Sequence, residues 1–354
     1  MSEIVASSDF PLAQQQLPAA KVQQAMHFIT AAKRIALLAH ERPDGDCLGS
    51  ALGFAHMLRQ LGKDCVPACA DPAPSSFSFL PDVETLQTTL GDEQFDLVIA
   101  LDAGELSRYG ALYEQHRHFL DTATIINIDH HVSSEGCGTV NIIETGAAST
   151  TELIVLFQQQ AGLPLDKDAA ICLLTGLITD SGSFQYPSTS ARTMEVGAIL
   201  LTAGATAEMI VKPLFRTRPL AQLRLQAATT NNIQTTLAGR VLWSYANDET
   251  LAQAGATADM DDAIVGSLRD IAGVQVAAFF KNYGDPSLTR VSLRSTAPYD
   301  VAAICMRLGG GGHPRAAGAT IHQPLAEATR LVIQEIVQQI EATDQQLQEQ
   351  SAQA

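Results

Sequence analysis

Short apolar runs alternate with longer amphipathic stretches over the first two hundred residues. RIALLAH at 34–40, FDLVIALD at 95–102 and TIINIDHH at 124–131 are nearly continuous apolar runs that end in acids or histidines. Runs of that length, unbroken by a polar alternation, read as strands buried on both faces of a parallel sheet. DCVPACA at 64–70 reads as another strand, and its Pro67 predicts an edge position because proline offers no N–H to a ladder. GTVNII at 138–143 makes a fifth. Between and after them, helical periodicity covers 21–33, 48–61, 149–161, 166–179, 190–203 and 205–214. Strands alternating with helices predict an α/β unit with an open, mostly parallel sheet and flanking helices.

The pattern changes at 212–232, which is rich in Arg, Gln and Thr and broken by Pro213 and Pro219. It reads as a partly helical connector. A second, smaller mixed α/β unit follows over 233–345: strands RVLWSYA, VQVAAFFKN, LTRVSLRS and GATI, with helices at 257–270, 301–308 and 325–340. The turn Tyr283-Gly284-Asp285-Pro286 joins two of these strands as a hairpin. The first unit then spans 21–211. The polar, proline-marked first twenty residues read as a mobile lead-in, and the Gln-rich end at 346–354 as a disordered tail.

Composition narrows the function classes. No apolar run approaches the roughly 20 residues of a membrane span, and the N-terminus lacks the basic start and apolar stretch of a secretory signal. The six cysteines are scattered without a CxxC pair, which suits reduced thiols and a cytoplasmic location. Formal net charge is −16, so the overall field repels long nucleic acid. A nucleotide substrate would have to be short and held by metal ions and a local basic patch.

The candidate chemistry sits where the strands of the first unit end. His40, Asp44 and Asp46 fall in HERPDGDCLGS, Asp102 ends LVIALD, Asp129, His130 and His131 end IINIDHH, and Asp180 follows the apolar helix ICLLTGLIT. In an open α/β sheet the carboxyl ends of the strands border one crevice, so residues distant in sequence converge there. Taken singly, Asp44 and Asp46 fit helix capping and Asp102 fits a turn. Together, four clusters of acids and imidazoles without matching basic partners are poorly explained by capping. Carboxylate and imidazole donors without cysteine suit Mn²⁺ or a similar ion better than structural zinc. Their number suits two ions about 3.5–4 Å apart, bridged by a shared carboxylate.

These stretches resemble a known family. HxxxDxD in HERPDGD, the acid of ALDAGELSR, the triplet of NIDHH, and TDSGSF are similar to the four signature motifs of the DHH phosphoesterases. VSLRS and GGGGHPRAAG are similar to the substrate-binding motifs of the DHH-associated domain. Six motifs in the family's order cover roughly 21–340, and length and architecture are most similar to the stand-alone oligoribonuclease and pAp phosphatase branch (the nanoRNases).

The resemblance implies that His40, Asp44 and Asp102 hold one metal and that Asp46, Asp102, His130 and Asp180 hold the other. Two Mn²⁺ are implied, with Mg²⁺ or Co²⁺ as alternatives. It implies that His131 faces the scissile phosphate and that Asp129 supports the cluster. Arg294, Ser295 and a loop of Gly310, Gly311, Gly312 and His313 would contact substrate; glycine admits close backbone N–H approach to phosphate, and Arg offers a planar fork. The implied substrates are dinucleotides, short RNA or DNA oligonucleotides, or pAp, held in a cleft between the domains. Long duplexes and membranes are not implied, and a homodimer rests on family likeness alone. A cyclic or linear dinucleotide phosphodiesterase of signalling type (c-di-AMP, pGpG) shares this architecture. A catalytically silent nucleotide-binding module is the alternative of another class. Ser134, Cys137 and Pro187-Ser188-Thr189 depart from the family's common residues, which bears on the pocket and not on the metal ligands.

Overall fold

The computed structural model describes residues 16–353 apart from Asp92, Glu93 and Asp262. Most of the expected N-terminal lead-in lies outside the described residues. The chain forms two compact units that divide between Thr217 and Arg218.

The first unit runs α1 (Ala19–Ala31), β1 (Arg34–Ala39), α2 (Gly45–Gln60), β2 (Asp64–Cys69), β3 (Leu97–Leu101), α3 (Ala111–Leu120), β4 (Ile125–Asp129), β5 (Val140–Ile143), α4 (Thr150–Ala161), α5 (Lys167–Asp180), α6 (Ala191–Thr202) and α7 (Ala207–Phe215). The five strands are all parallel, in the order β2-β1-β3-β4-β5. Pro67 sits on an edge strand, as expected, and its carbonyl accepts from the Gln87 N–H at 2.9 Å. One sheet face packs Ile35, Leu37, Ile99, Leu101, Ile126 and Ile128 against α2, α4 and α5. The other packs Ala36, Leu38, Val98 and Ala100 against Tyr109, Leu112 and Leu120. Both faces are covered, which is why these strands read as unbroken apolar runs. The chain passes from β1 to β2 on one side and returns to β3 on the other. The strand order therefore reverses at β1 and β3, whose carboxyl ends flank the crevice where α/β sheets bind ligands.

The second unit holds α8 (Leu220–Asn231), β6 (Gln234–Thr236), β7 (Val241–Asn247), α9 (Asp248–Ala254), α10 (Ile264–Arg269), β8 (Val276–Asn282), β9 (Thr289–Ser295), α11 (Val301–Arg307), β10 (Gly311–His313), β11 (Ala316–Ile321) and α12 (Leu325–Gln353). Its sheet is mixed, ordered β10-β11-β9-β8-β7-β6, with β7 and β8 parallel and the other pairs antiparallel. The expected connector, 212–232, holds the end of α7 and the whole of α8. Among the described residues no single helix is long and apolar enough to cross a membrane.

Three expectations need correction. The helix at 257–270 is interrupted: a 3-10 turn at Ala258–Asp261 precedes a short α10. The glycine stretch is not a free loop, because Gly311–His313 pairs with Ala316–Gly318 as a strand. The Gln-rich end is helical through Gln353. Gln, Glu, Leu and Ala are good helix formers, and a helix already anchored by Val332, Ile336 and Ile340 extends without a new nucleation cost.

Candidate metal centre

The centre begins at the carboxyl end of β1. His40 is buried, and its Nδ1 lies 2.8 Å from the Glu41 carbonyl oxygen. A donated Nδ1–H there turns Nε2 toward the crevice, where, against the effect of burial, hydrogen bonds to Asp102 and Asp44 raise the pKa of the ring. The next turn starts α2. Asp44 is its N-cap: Oδ1 accepts from the N–H groups of Asp46 (3.0 Å) and Cys47 (3.1 Å). Its other oxygen, Oδ2, lies 3.7 Å from His40 Nε2. Capping and site membership are therefore one arrangement, with one oxygen for each.

Asp46 lies in the first turn of α2, fully buried. It is met by the N-terminus of α4: Thr150 N–H donates to Oδ2 at 2.6 Å and Thr151 N–H to Oδ1 at 3.0 Å. Backbone donors at a helix start carry partial positive charge, which suits a buried carboxylate. The α5 backbone closes against the same group. A Cβ on Gly176 would stand 2.6 Å from Asp46 Oδ1, so only glycine allows this approach.

Asp102 follows β3 with φ of +60°, a left-handed conformation that L-residues rarely take. Its Oδ2 lies 3.5 Å from His40 Nε2, and its Oδ1 3.6 Å from His130 Nε2. Thr150 Oγ1 donates to that Oδ1 at 2.9 Å. One carboxylate thus faces two histidines with separate oxygens. At the end of β4, His130 Nε2 also lies 3.2 Å from Asp180 Oδ2 and 3.9 Å from Asp46 Oδ2. Its Nδ1 is 3.3 Å from the Ala147 carbonyl. His131 turns its Nδ1 to Asp129 Oδ1 at 2.7 Å, and Asp129 also accepts from the N–H groups of His130 and His131. All eight acids and histidines named at the strand ends therefore fall into one connected cluster.

Electrostatics mark this cluster as incomplete by itself. Burial, and then the charge of Asp46, push the Asp102 carboxyl well above the usual carboxylate range. Burial raises Asp46 too, against the pull of His130. Asp180 is pushed up to about 8 by burial and by Asp46 and Asp44. Burial also works against Asp129 and Asp44, but hydrogen bonds from His131 hold the first down, and His40 holds the second to about 2. Like charges crowded out of water persist when a cation neutralises them. The ligand atoms form three groups, each within 4.8 Å, the last two sharing His130: His40, Asp44 and Cys47; Asp102, His130 and His131; and Asp46, His130 and Asp180. Oxygen and imidazole donors at these spacings fit divalent cations of the Mn²⁺ or Mg²⁺ type.

In the second unit, Arg294 is half-buried on β9, and its Nη1 donates to the Leu293 carbonyl at 3.0 Å. Arg294, Ala316 and His313 stand in one row across β9, β11 and β10. Gly310 ends the turn after α11, donating to Cys305 O at 2.8 Å. Gly312 has φ of +140°, and a Cβ there would stand 2.5 Å from Ala317 Cα, so glycine is required. Ser295 is buried, with its hydroxyl donating to Tyr299 O at 2.6 Å and lying 3.2 Å from Pro314 O. It ties together the segments flanking the glycine strand.

Three contributors to the cluster escape sequence reasoning. Thr150 and Thr151 orient Asp46 from 104 and 105 positions away, and Thr150 orients Asp102 from 48, pairings seen only in the fold. The run Ser149-Thr150-Thr151-Glu152 does carry a helix-start signal. Cys47, read as a buried thiol, packs its sulfur 3.3 Å from the Asp44 N–H as part of the capping box. Burial pushes its thiol up.

Comparisons with known proteins agree with this architecture. Residues 34–177 match the DHH family, N-terminal domain, and residues 238–342 match the DHHA1 domain. The chain is 31% identical to the bifunctional oligoribonuclease and PAP phosphatase NrnA of Thermus thermophilus, over 81% of this chain and 84% of the relative. It is 31% identical to the protein of that name from Mycoplasma genitalium, over 85% and 92%. A cyclic-di-AMP phosphodiesterase, PdeA of Listeria monocytogenes, is 26% identical over 89% of this chain and 49% of its own length. Among solved structures, an exopolyphosphatase-related protein from Bacteroides fragilis shares the fold with a TM-score of 0.84 and 22% identity, covering 92% of this chain and 98% of that one.

Proposed function

The chain belongs to the DHH family of phosphoesterases, and on that premise we propose that it hydrolyses dinucleotides and very short oligonucleotides to mononucleotides, with 3′-phosphatase action on pAp. The reading rests on one observation: Asp102 turns one oxygen toward His40 and the other toward His130. Such a carboxylate suits a bridge between two divalent cations, with His40, Asp44 and Asp102 for one and Asp46, Asp102, His130 and Asp180 for the other. Mn²⁺ is the first choice for this donor set, and Mg²⁺ or Co²⁺ are the alternatives. When bound, such a pair activates water and neutralises charge growing on phosphoryl oxygens.

The protein's own residues have separate tasks. Helix starts at α2 and α4 fix Asp44 and Asp46 before any substrate arrives. Asp129 keeps Nδ1 of His131 protonated, which leaves Nε2 as the nitrogen available to a phosphoryl or leaving oxygen. Arg294 and the glycine strand supply a planar fork and close backbone for a second phosphate or the nucleotide's end. The six cysteines are free thiols, which supports a reducing compartment such as the cytoplasm. Names of the T. thermophilus and M. genitalium relatives support the substrate class.

The test is a panel offered to Mn²⁺-loaded protein: labelled two-mers through long single strands, pAp, pGpG and cyclic di-AMP. Two-mers and pAp are expected to turn over fastest. Equal or faster hydrolysis of long strands rejects the length preference, and preference for the cyclic dinucleotide favours the signalling reading. Light scattering checks the homodimer that family likeness implies; a monomer mass rejects it.

A further inference from the structure

We propose that Asn127 and Tyr109 are positioning residues that hold Asp102 in its left-handed conformation and thereby set the affinity of the bridging position for a divalent cation. The inference rests on the reading of Asp102 as a shared metal ligand. Asn127 is fully buried in the middle of β4, on the sheet face otherwise packed with Val98, Ala100 and Ile125. A carboxamide in such a place costs free energy unless its polar atoms are satisfied. Here both donor bonds go to the turn that carries Asp102: Nδ2 donates to Ala100 O at 3.1 Å and to Ala103 O at 2.8 Å. Its Oδ1 accepts from the Cys137 N–H at 3.3 Å.

Tyr109 completes the set. It is fully buried, and its hydroxyl donates to Leu101 O at 3.1 Å and lies 3.4 Å from Ala103 O. Three carbonyls around Asp102, those of residues 100, 101 and 103, are thus held by two side chains, while Asp102 N–H donates to Ile128 O at 3.0 Å. An unfavourable φ persists only where surroundings over-determine it. Without these bonds the turn can relax toward φ below zero, and the carboxylate then no longer faces His40 and His130 together. Neither side chain touches a metal donor atom directly in this arrangement; each acts through the backbone.

The experiment compares the wild type with Tyr109→Phe, Asn127→Leu and, as a reference, Asp102→Asn. Metal-stripped full-length proteins are titrated with Mn²⁺, with free ion read by electron paramagnetic resonance, and melted without metal. Dinucleotide hydrolysis is then measured at saturating Mn²⁺. Supporting partners of metal ligands are commonly worth about 10- to 100-fold in affinity, and the clamp predicts a weakening of that order for Asn127→Leu and a smaller one for Tyr109→Phe, with KM for the dinucleotide unchanged. The metal-free melting temperature of Tyr109→Phe should move by only about 2–4 °C, as one hydrogen bond in a domain of this size allows. A purely structural role would lower melting and leave Mn²⁺ affinity alone, and that result overturns the clamp. Should Asn127→Leu fail to fold, Tyr109→Phe decides alone. If Asp102→Asn binds Mn²⁺ as tightly as the wild type, the metal reading itself fails and the clamp with it.

Discussion

Two buried aspartates, Asp261 in the second unit and Asp102 in the first, show what separates a structural charge from a functional one. Both are almost fully buried. Asp261 is complete: Lys281 Nζ lies 2.5 Å from one oxygen, and the Tyr283 hydroxyl donates to the other at 2.8 Å. Asp102 instead feels the like charges of Asp46 and Asp44, and the side-chain nitrogens facing its oxygens belong to imidazoles, which are charged only when protonated. A paired buried charge needs nothing more. A crowd of carboxylates out of water is a setting that a cation from outside would stabilise, which is the physical ground for proposing the hydrolytic centre here.

The contrast can be broken in four ways. Asp102→Asn should lower kcat by about 10³-fold or more at saturating Mn²⁺, the scale of several kcal/mol expected from metal-assisted chemistry, while Asp261→Asn leaves it near wild type; steady-state hydrolysis of a dinucleotide measures both. Asp261→Ala should cost about 3 kcal/mol of stability in the second unit, because it leaves Lys281 without its partner; urea unfolding reads this. Arg294→Lys keeps the charge and loses the planar fork, so KM should rise about tenfold with kcat little changed. The smallest effect has the opposite sign to the second. In metal-free protein Asp102→Asn should raise stability by about 1 kcal/mol, since it removes repulsion kept for function.

Much of this was legible in the sequence, for physical reasons that differ by region. The strands of the first unit are covered on both faces, so RIALLAH, LVIAL and IINID appear as apolar runs, and the acids that follow them stand at the crevice. Pro67 announces its edge by the N–H it lacks. Partners that act across the fold leave no such trace. Nothing local to Thr150 says that it meets Asp46, and nothing local to Asn127 says that its amide serves a turn 24 residues away. Glycines also mislead: Gly311 and Gly312 suggest a loop, but pairing with β11 makes them a strand. The polar end of α12 looks unfolded because burial there is slight, while propensity and an anchored start suffice to extend the helix.

The central claim is that the strand-end carboxylates and histidines bind a pair of cations through Asp102. Anomalous diffraction from crystals grown with Mn²⁺ tests it most directly. Two peaks are predicted, one among His40, Asp44 and Asp102 and one among Asp46, Asp102, His130 and Asp180, both lost in Asp102→Ala. A single peak away from Asp102, or none at full Mn²⁺ loading, would contradict the account.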